Sequence, residues 1–327
     1  MSIGGVVRRA AAGLAVVALG AMLTSCGGSA ARQTEKAGAA VSVTHRFGTT
    51  MIKGVPKRVV TLDQQWTDVM LAMGVKPVGH GADPNVGKNG RAPWQTALPA
   101  SSKPFPIDPK GPPLERVAAL HPDLIVGSFT IPDRAMYQKL AGIAPTVPAI
   151  DDRQVERWPD LVRVAGRIFG DAAKAERVVA GVNGKVAAIR KRMPWLRGKT
   201  FALAQYVVGD SVIAVADPAD GSTVLFNSLG MRQYPALLAE GKRQKQPRIS
   251  VSPERLDVLR SDLLMFLING GTRADLTDLP GWADLPSVRG GSAAVLDYPT
   301  IAGLNVPTPL SVPAALDAVT PALRALR

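Results

Sequence analysis

A single thiol, Cys26, stands among the 327 residues, so no internal disulfide is available to this chain. The residues ahead of it say what else the sulfur can do. Arg8-Arg9 is followed by an apolar run over 10–23 and then by Leu23-Thr24-Ser25-Cys26. A positive start, an apolar stretch too short to span a bilayer and small residues before a cut are the parts of an export signal. The ending matches the bacterial lipobox, which predicts cleavage before Cys26 and a diacylglycerol on its sulfur. Two acyl chains would hold the protein at the outer face of the cytoplasmic membrane. The arginine pair leaves Sec and twin-arginine export both open.

The imidazoles able to ligate a metal are His45, His80 and His121. None stands in an HExxH or CxxC spacing, so no direct metal site is predicted. A GxSxG elbow, a P-loop and a Gly-rich dinucleotide fingerprint are also missing from the sequence. An exported enzyme of α/β fold is therefore the weaker, different-class alternative. Lys and Arg exceed Asp and Glu by 39 − 26 = 13, yet the basic residues are scattered. The densest run is 242–248, with no nucleic-acid motif around it, so a solvated basic surface is expected and no nucleic acid.

Two glutamates carry the most informative pattern. Aligned on them, Glu115/Glu254, Arg116/Arg255, Leu120/Leu259, Asp123/Asp262 and Leu124/Leu263 recur at the same offsets. Each copy reads as a short amphipathic helix, a turn and a buried strand of the parallel type. A repeat that includes polar positions predicts two similar lobes.

The elements that must position these residues alternate in the same way. After a signal over 1–25 and a small, polar tether over 26–40, an N-terminal α/β lobe is expected over 41–157. It comprises a hairpin (41–47 and 49–52), a strand at 58–62, a helix at 63–73, a strand at 75–78 and a long loop over 82–113. Linker helices at 158–169 and 172–193 fill 158–195. The C-terminal α/β lobe, 196–327, carries strands at 200–207, 263–268 and 293–296 and a closing helix at 313–326. The class is α/β: two Rossmann-like lobes joined by one long α-helix, with a cleft between them.

Over its mature length the sequence resembles the helical-backbone (class III) solute-binding proteins of ABC importers for ferric siderophores, haem and cobalamin. Pro56-Lys57-Arg58-Val59-Val60 resembles the family's opening strand, and 114–126 resembles its ALxPDLI-type motif after a Glu. Ile143-Ala144-Pro145-Thr146-Val147 resembles the end of its first lobe. The resemblance implies a monomer without cofactor whose ligand is an Fe(III)-siderophore, with haem as the alternative and cobalamin behind it. It implies an ABC permease in the cytoplasmic membrane as partner, docked by Glu115 and Glu254 against arginine pockets. It places the ligand at the C-terminal ends of the parallel strands and in the long loop. The residues expected there are Trp66, Arg91, Trp94, Lys110, Ser128, Phe129, Thr130, Gln205, Tyr206, Arg248, Asn269 and Tyr298. For haem, an axial ligand would come from Tyr206, Tyr298 or His80. A helical linker implies modest lobe rocking around a preformed cleft.

Overall fold

Short apolar strands alternating with helices favour parallel pairing; one sheet is parallel throughout, and the other is mixed, with 211–215 and 248–251 paired antiparallel. The computed structural model describes residues 40–87, 90–108, 110–153 and 155–327. The export signal, Cys26 and all of the tether but Ala40 lie outside the described residues.

The chain enters as an antiparallel hairpin, β1 (Val41–His45) and β2 (Gly48–Ile52), with Val43 and Ile52 turned into the core. The N-terminal sheet follows: β3 (Val59–Thr61), β4 (Gly79–Ala82), β5 (Lys103–Pro106), β6 (Leu124–Val126) and β7 (Thr146–Val147). Its order is β5-β4-β3-β6-β7, and every pair is parallel. Helix α1 (Gln64–Ala72) packs on one face; α2 (Leu114–Ala118) and α3 (Arg134–Ala141) pack on the other. Helices α4 (Trp158–Ile168) and α5 (Ala172–Arg192) lead to the second lobe.

The C-terminal sheet runs β11-β9-β8-β12-β13, with β10 beside the start of β8. Its strands and helices are β8 (Thr200–Val207), β9 (Ser211–Val215), α6 (Gly221–Ser228), β10 (Arg232–Gln233), α7 (Pro235–Gln244), β11 (Arg248–Val251) and β12 (Leu263–Asn269). They continue as α8 (Arg273–Thr277), α9 (Pro286–Arg289), β13 (Ala293–Leu296), α10 (Tyr298–Asn305) and α11 (Ser311–Ala325). Phe201 and Leu203 of β8 face α5, α6 and α11, whereas Ala202, Ala204 and Tyr206 face the opposite core.

Helix α5 begins at Asp171, whose carboxylate accepts from the Lys174 amide at 2.8 Å, and ends on Arg190-Lys191-Arg192. An acidic start and a basic end both suit the helix dipole. At 1.5 Å per residue it is roughly 30 Å long. Val179 belongs to the N-terminal core, while Val182 and Ile189 belong to the C-terminal core. One rigid element therefore helps build both lobes, which are two α/β units joined by a helix as the sequence implies.

The repeat has a structural meaning. Asp123 accepts from the amides of Lys57 and Arg58 at 2.7 and 2.8 Å, just ahead of β3. Asp262 accepts from the amide and hydroxyl of Thr200, both at 2.7 Å, at the start of β8. Each aspartate staples the strand that its own β-strand then pairs with, in equivalent register: Leu124 opposite Val59 and Leu263 opposite Phe201.

Three elements differ from expectation. The second strand is Gly79–Ala82, not 75–78. Its glycines are required by close packing, because a Cβ on Gly81 would lie 2.2 Å from the Leu62 carbonyl oxygen. The long loop contains β5, whose prolines are tolerated because it is an edge strand. In the second repeat the helix is reduced to a 3-10 turn, Leu256–Leu259, that starts after Glu254.

Candidate functional site at the lobe junction

Strands β3 and β6 are neighbours whose connections leave in opposite directions, which opens a crevice at their C-terminal ends. Asp63 follows β3 there. It caps α1 through the Trp66 amide at 2.9 Å and accepts from the Ser128 amide, beyond β6, at 2.5 Å. Glu156 completes the group. Its carboxylate accepts from the Ser128 hydroxyl and from the Ile150 amide, the latter at 2.5 Å. Ser128 thus serves two acids at once. Both are buried, and burial pushes Asp63 up to about 6 and Glu156 up to about 7 against the pull of their donors.

A third acid ties the lobes together. Asp68 on α1 is fully buried and accepts from Trp94 Nε1 (2.8 Å), Gln95 Nε2 (2.7 Å) and the Thr308 hydroxyl (2.6 Å). The long loop of one lobe and the segment before α11 of the other meet on this carboxylate. Burial again outweighs the hydrogen bonds and raises it to about 6. Beside it, Gln65 donates to the carbonyls of Glu156 and Pro307 at 2.8 and 3.2 Å. Tyr298, first in α10, donates to Asp83 beyond β4 at 3.1 Å.

Beside Glu156 and Pro307 lies a cavity of about 580 Å³, lined by Arg153 and 155–159, by α5 and by α6. Arg153, Arg157, Arg163 and Arg190 reach it, as do Trp158 and Val224. That volume suits a small-molecule ligand.

The expected ligand residues divide sharply by position. Ser128, Phe129 and Thr130 follow β6 and Tyr298 follows β13; Phe129 and Tyr298 are exposed, whereas Ser128 and Thr130 are buried. The Thr130 hydroxyl has no partner among the described residues. Trp66 lies in the N-terminal core at 0% exposure, out of reach of any solute. Tyr206 packs in the C-terminal core, its hydroxyl accepting from the Gly209 amide at 3.3 Å. Trp94 is a lobe-to-lobe contact, seated against Gly303 and bonded to Asp68. Arg91 is spent on its own loop, donating to the carbonyls of Leu98 and Pro99. Arg248 pairs with Asp220 at 3.0 Å. Gln205 is half-buried within β8, whereas Lys110 and Asn269 are exposed. Among the axial candidates for haem, His80 is buried and bonded to Ser102 at 2.8 Å, with burial lowering it to about 4. Glu115 and Glu254 are both exposed, one on each lobe.

Sequence reasoning missed the cavity residues Arg153, Arg157, Trp158 and Arg190. The strand-end rule would have found the first three, since they follow β7. That strand is only two residues long, and the sequence marked it as the end of the first lobe and not as a ligand-bearing strand end.

Comparison with known proteins defines the class. A family model described as periplasmic binding protein matches residues 59–299. The chain belongs to this periplasmic binding protein family, whose members are solute-binding proteins and not enzymes. A probable siderophore-binding lipoprotein of Bacillus subtilis (strain 168), YfiY, is 27% identical over 272 residues, 78% of this chain and 80% of the relative. The crystal structure of a periplasmic solute binding protein from Mycobacterium smegmatis str. MC2 155 is similar at TM-score 0.75 and 27% identity, covering 88% of this chain and 99% of that one. Staphylococcus aureus SirA complexed with staphyloferrin B is similar at TM-score 0.71 and 25% identity, covering 87% of this chain and 98% of that one.

Proposed function

We propose that this chain is a lipid-anchored, extracytoplasmic substrate-binding protein that captures a ferric siderophore at the lobe junction and delivers it to an ABC permease. The observation that carries this reading is similarity along both lobes to YfiY, named as siderophore-binding, and to SirA in complex with staphyloferrin B. The lipobox ending at Cys26 supports the anchor, and the word lipoprotein in the name of YfiY agrees with it. The cavity bordered by Glu156, with a volume of about 580 Å³, supplies a place for a chelate of moderate size.

Haem fits less well. Tyr206 and His80 are buried, and Tyr298 donates its proton to Asp83. Burial and that carboxylate raise the Tyr298 phenol, whereas iron ligation needs the phenolate.

Delivery is assigned to Glu115 and Glu254, two exposed carboxylates on repeat-related segments of the two lobes. Such a pair would fix orientation on a permease through guanidinium forks. Uptake of an iron-loaded siderophore by cells that depend on this protein tests the assignment. Glu115→Ala with Glu254→Ala should leave chelate affinity unchanged and lower uptake strongly. Lost affinity, or undiminished uptake, would sink the docking assignment.

A further inference from the structure

The cavity beside the lobe contact has a charge pattern that bears on the class of chelate. Its lining holds four arginines and one acid, Glu156. The acid does not present itself to a ligand, because Ser128 and Ile150 occupy one carboxylate oxygen each. Two of the arginines are already matched: Arg163 forks onto Glu176 at 2.8 and 3.3 Å, and Arg153 pairs with Asp151. The other two are held less closely. Arg157 is 3.8 Å from an Asp160 that Arg163 also approaches at 3.4 Å, and Arg190 forms no ion pair among the described residues. Arg157 and Arg190, both exposed, line the same cavity as the apolar Val182, Val186, Leu225 and Val312. Positive charge beside apolar surface attracts an anion more strongly than it would in open water.

We infer that Arg157 and Arg190 select a net-negative, carboxylate-bearing ferric chelate over a neutral ferric trihydroxamate. This rests on the siderophore reading above and sharpens it to a ligand class. Arg157 precedes α4, and Arg190 lies in the last turn of α5, so the two approach the cavity from different elements. A carboxylate between them would meet two forked donors, whereas a neutral hydroxamate shell would leave both without a counter-charge. Because α6 of the C-terminal lobe also lines the cavity, the bound chelate would touch both lobes.

The test is a fluorescence titration of the whole mature protein with ferric citrate and with a neutral ferric trihydroxamate, with Trp158 in the lining as reporter. Ferric citrate should bind more tightly than the neutral chelate, and its affinity should fall as salt is raised. The pair of substitutions Arg157→Gln and Arg190→Gln should weaken ferric citrate by about tenfold or more while leaving the neutral chelate unchanged. Unaltered thermal unfolding of the variant would confirm its fold. Tighter binding of the neutral chelate, or ferric citrate affinity indifferent to both substitutions, would overturn the inference and leave the siderophore reading standing. Failure of both chelates to bind would overturn the two together.

Discussion

Asp63, Asp68 and Glu156 lie inside the lobe junction, and each is held there by donors from elsewhere in the chain. Their burial makes the junction sensitive to pH in a definite direction. In the unfolded chain these acids would release their protons near about 4. In the folded chain Asp63 and Asp68 hold theirs to about 6 and Glu156 to about 7. Between those values the folded state binds more protons, so this contribution is largest at acid pH and is lost as pH rises through about 6 and then about 7. His80 opposes it: lowered to about 4, it favours folding above its ordinary value near 6.5 and loses that contribution as pH falls. Asp68→Asn separates the effects. Trp94 and Thr308 donate to one oxygen of Asp68 and Gln95 to the other, so an amide nitrogen must face a donor. Urea unfolding at pH 8 should show a loss of about 1–3 kcal/mol. The variant should also lack the share of the decline between pH 5 and 7 that Asp68 contributes. An unchanged stability at pH 8 would mean that this carboxylate does not tie the lobes.

At the scale of elements, α5 offers the clearest handle. Gly181 and Gly184 sit in the middle of this helix, exposed, and a Cβ at either would meet nothing within 4 Å. Changing each to Ala should stabilise the protein by about 0.5–1 kcal/mol through helix propensity, read as a raised thermal midpoint. A drop would mean that the helix is less regular than drawn. The same helix was legible in sequence almost to the residue, because the twenty-two positions between Asp171 and Pro194 are free of proline and leave few alternatives. Strand β4 was not legible. Its residues, Gly-His-Gly-Ala, have poor strand propensity, and they are selected by the close approach of Leu62 and Phe105. Strand β5 was hidden by its prolines, and the second repeat kept its glutamate and aspartate while its helix tightened into a 3-10 turn. The polar positions of the repeat were the reliable part, since Asp123 and Asp262 perform the same stapling in each lobe.

For the whole molecule, three connections hold the lobes in one arrangement besides α5: Asp68 to Thr308, Gln65 to Pro307 and Asp83 to Tyr298. A preformed junction of this kind favours recognition with little closure. Strand ends can be counted in the sequence, and the structure does set Ser128, Phe129 and Thr130 just beyond β6 and Tyr298 just beyond β13. The sequence could not separate Trp66 and Trp94, both attractive as aromatic walls, from core and lobe contact, since burial is a property of the folded chain. The central claim is capture of a ferric siderophore, and a paired titration by tryptophan fluorescence and haem absorbance tests it most directly. Saturable quenching by an Fe(III)-siderophore at micromolar concentration or below, with no Soret shift on adding haemin, is the predicted result. A Soret shift that Tyr298→Phe abolishes, or no response to any ferric chelate, would contradict it.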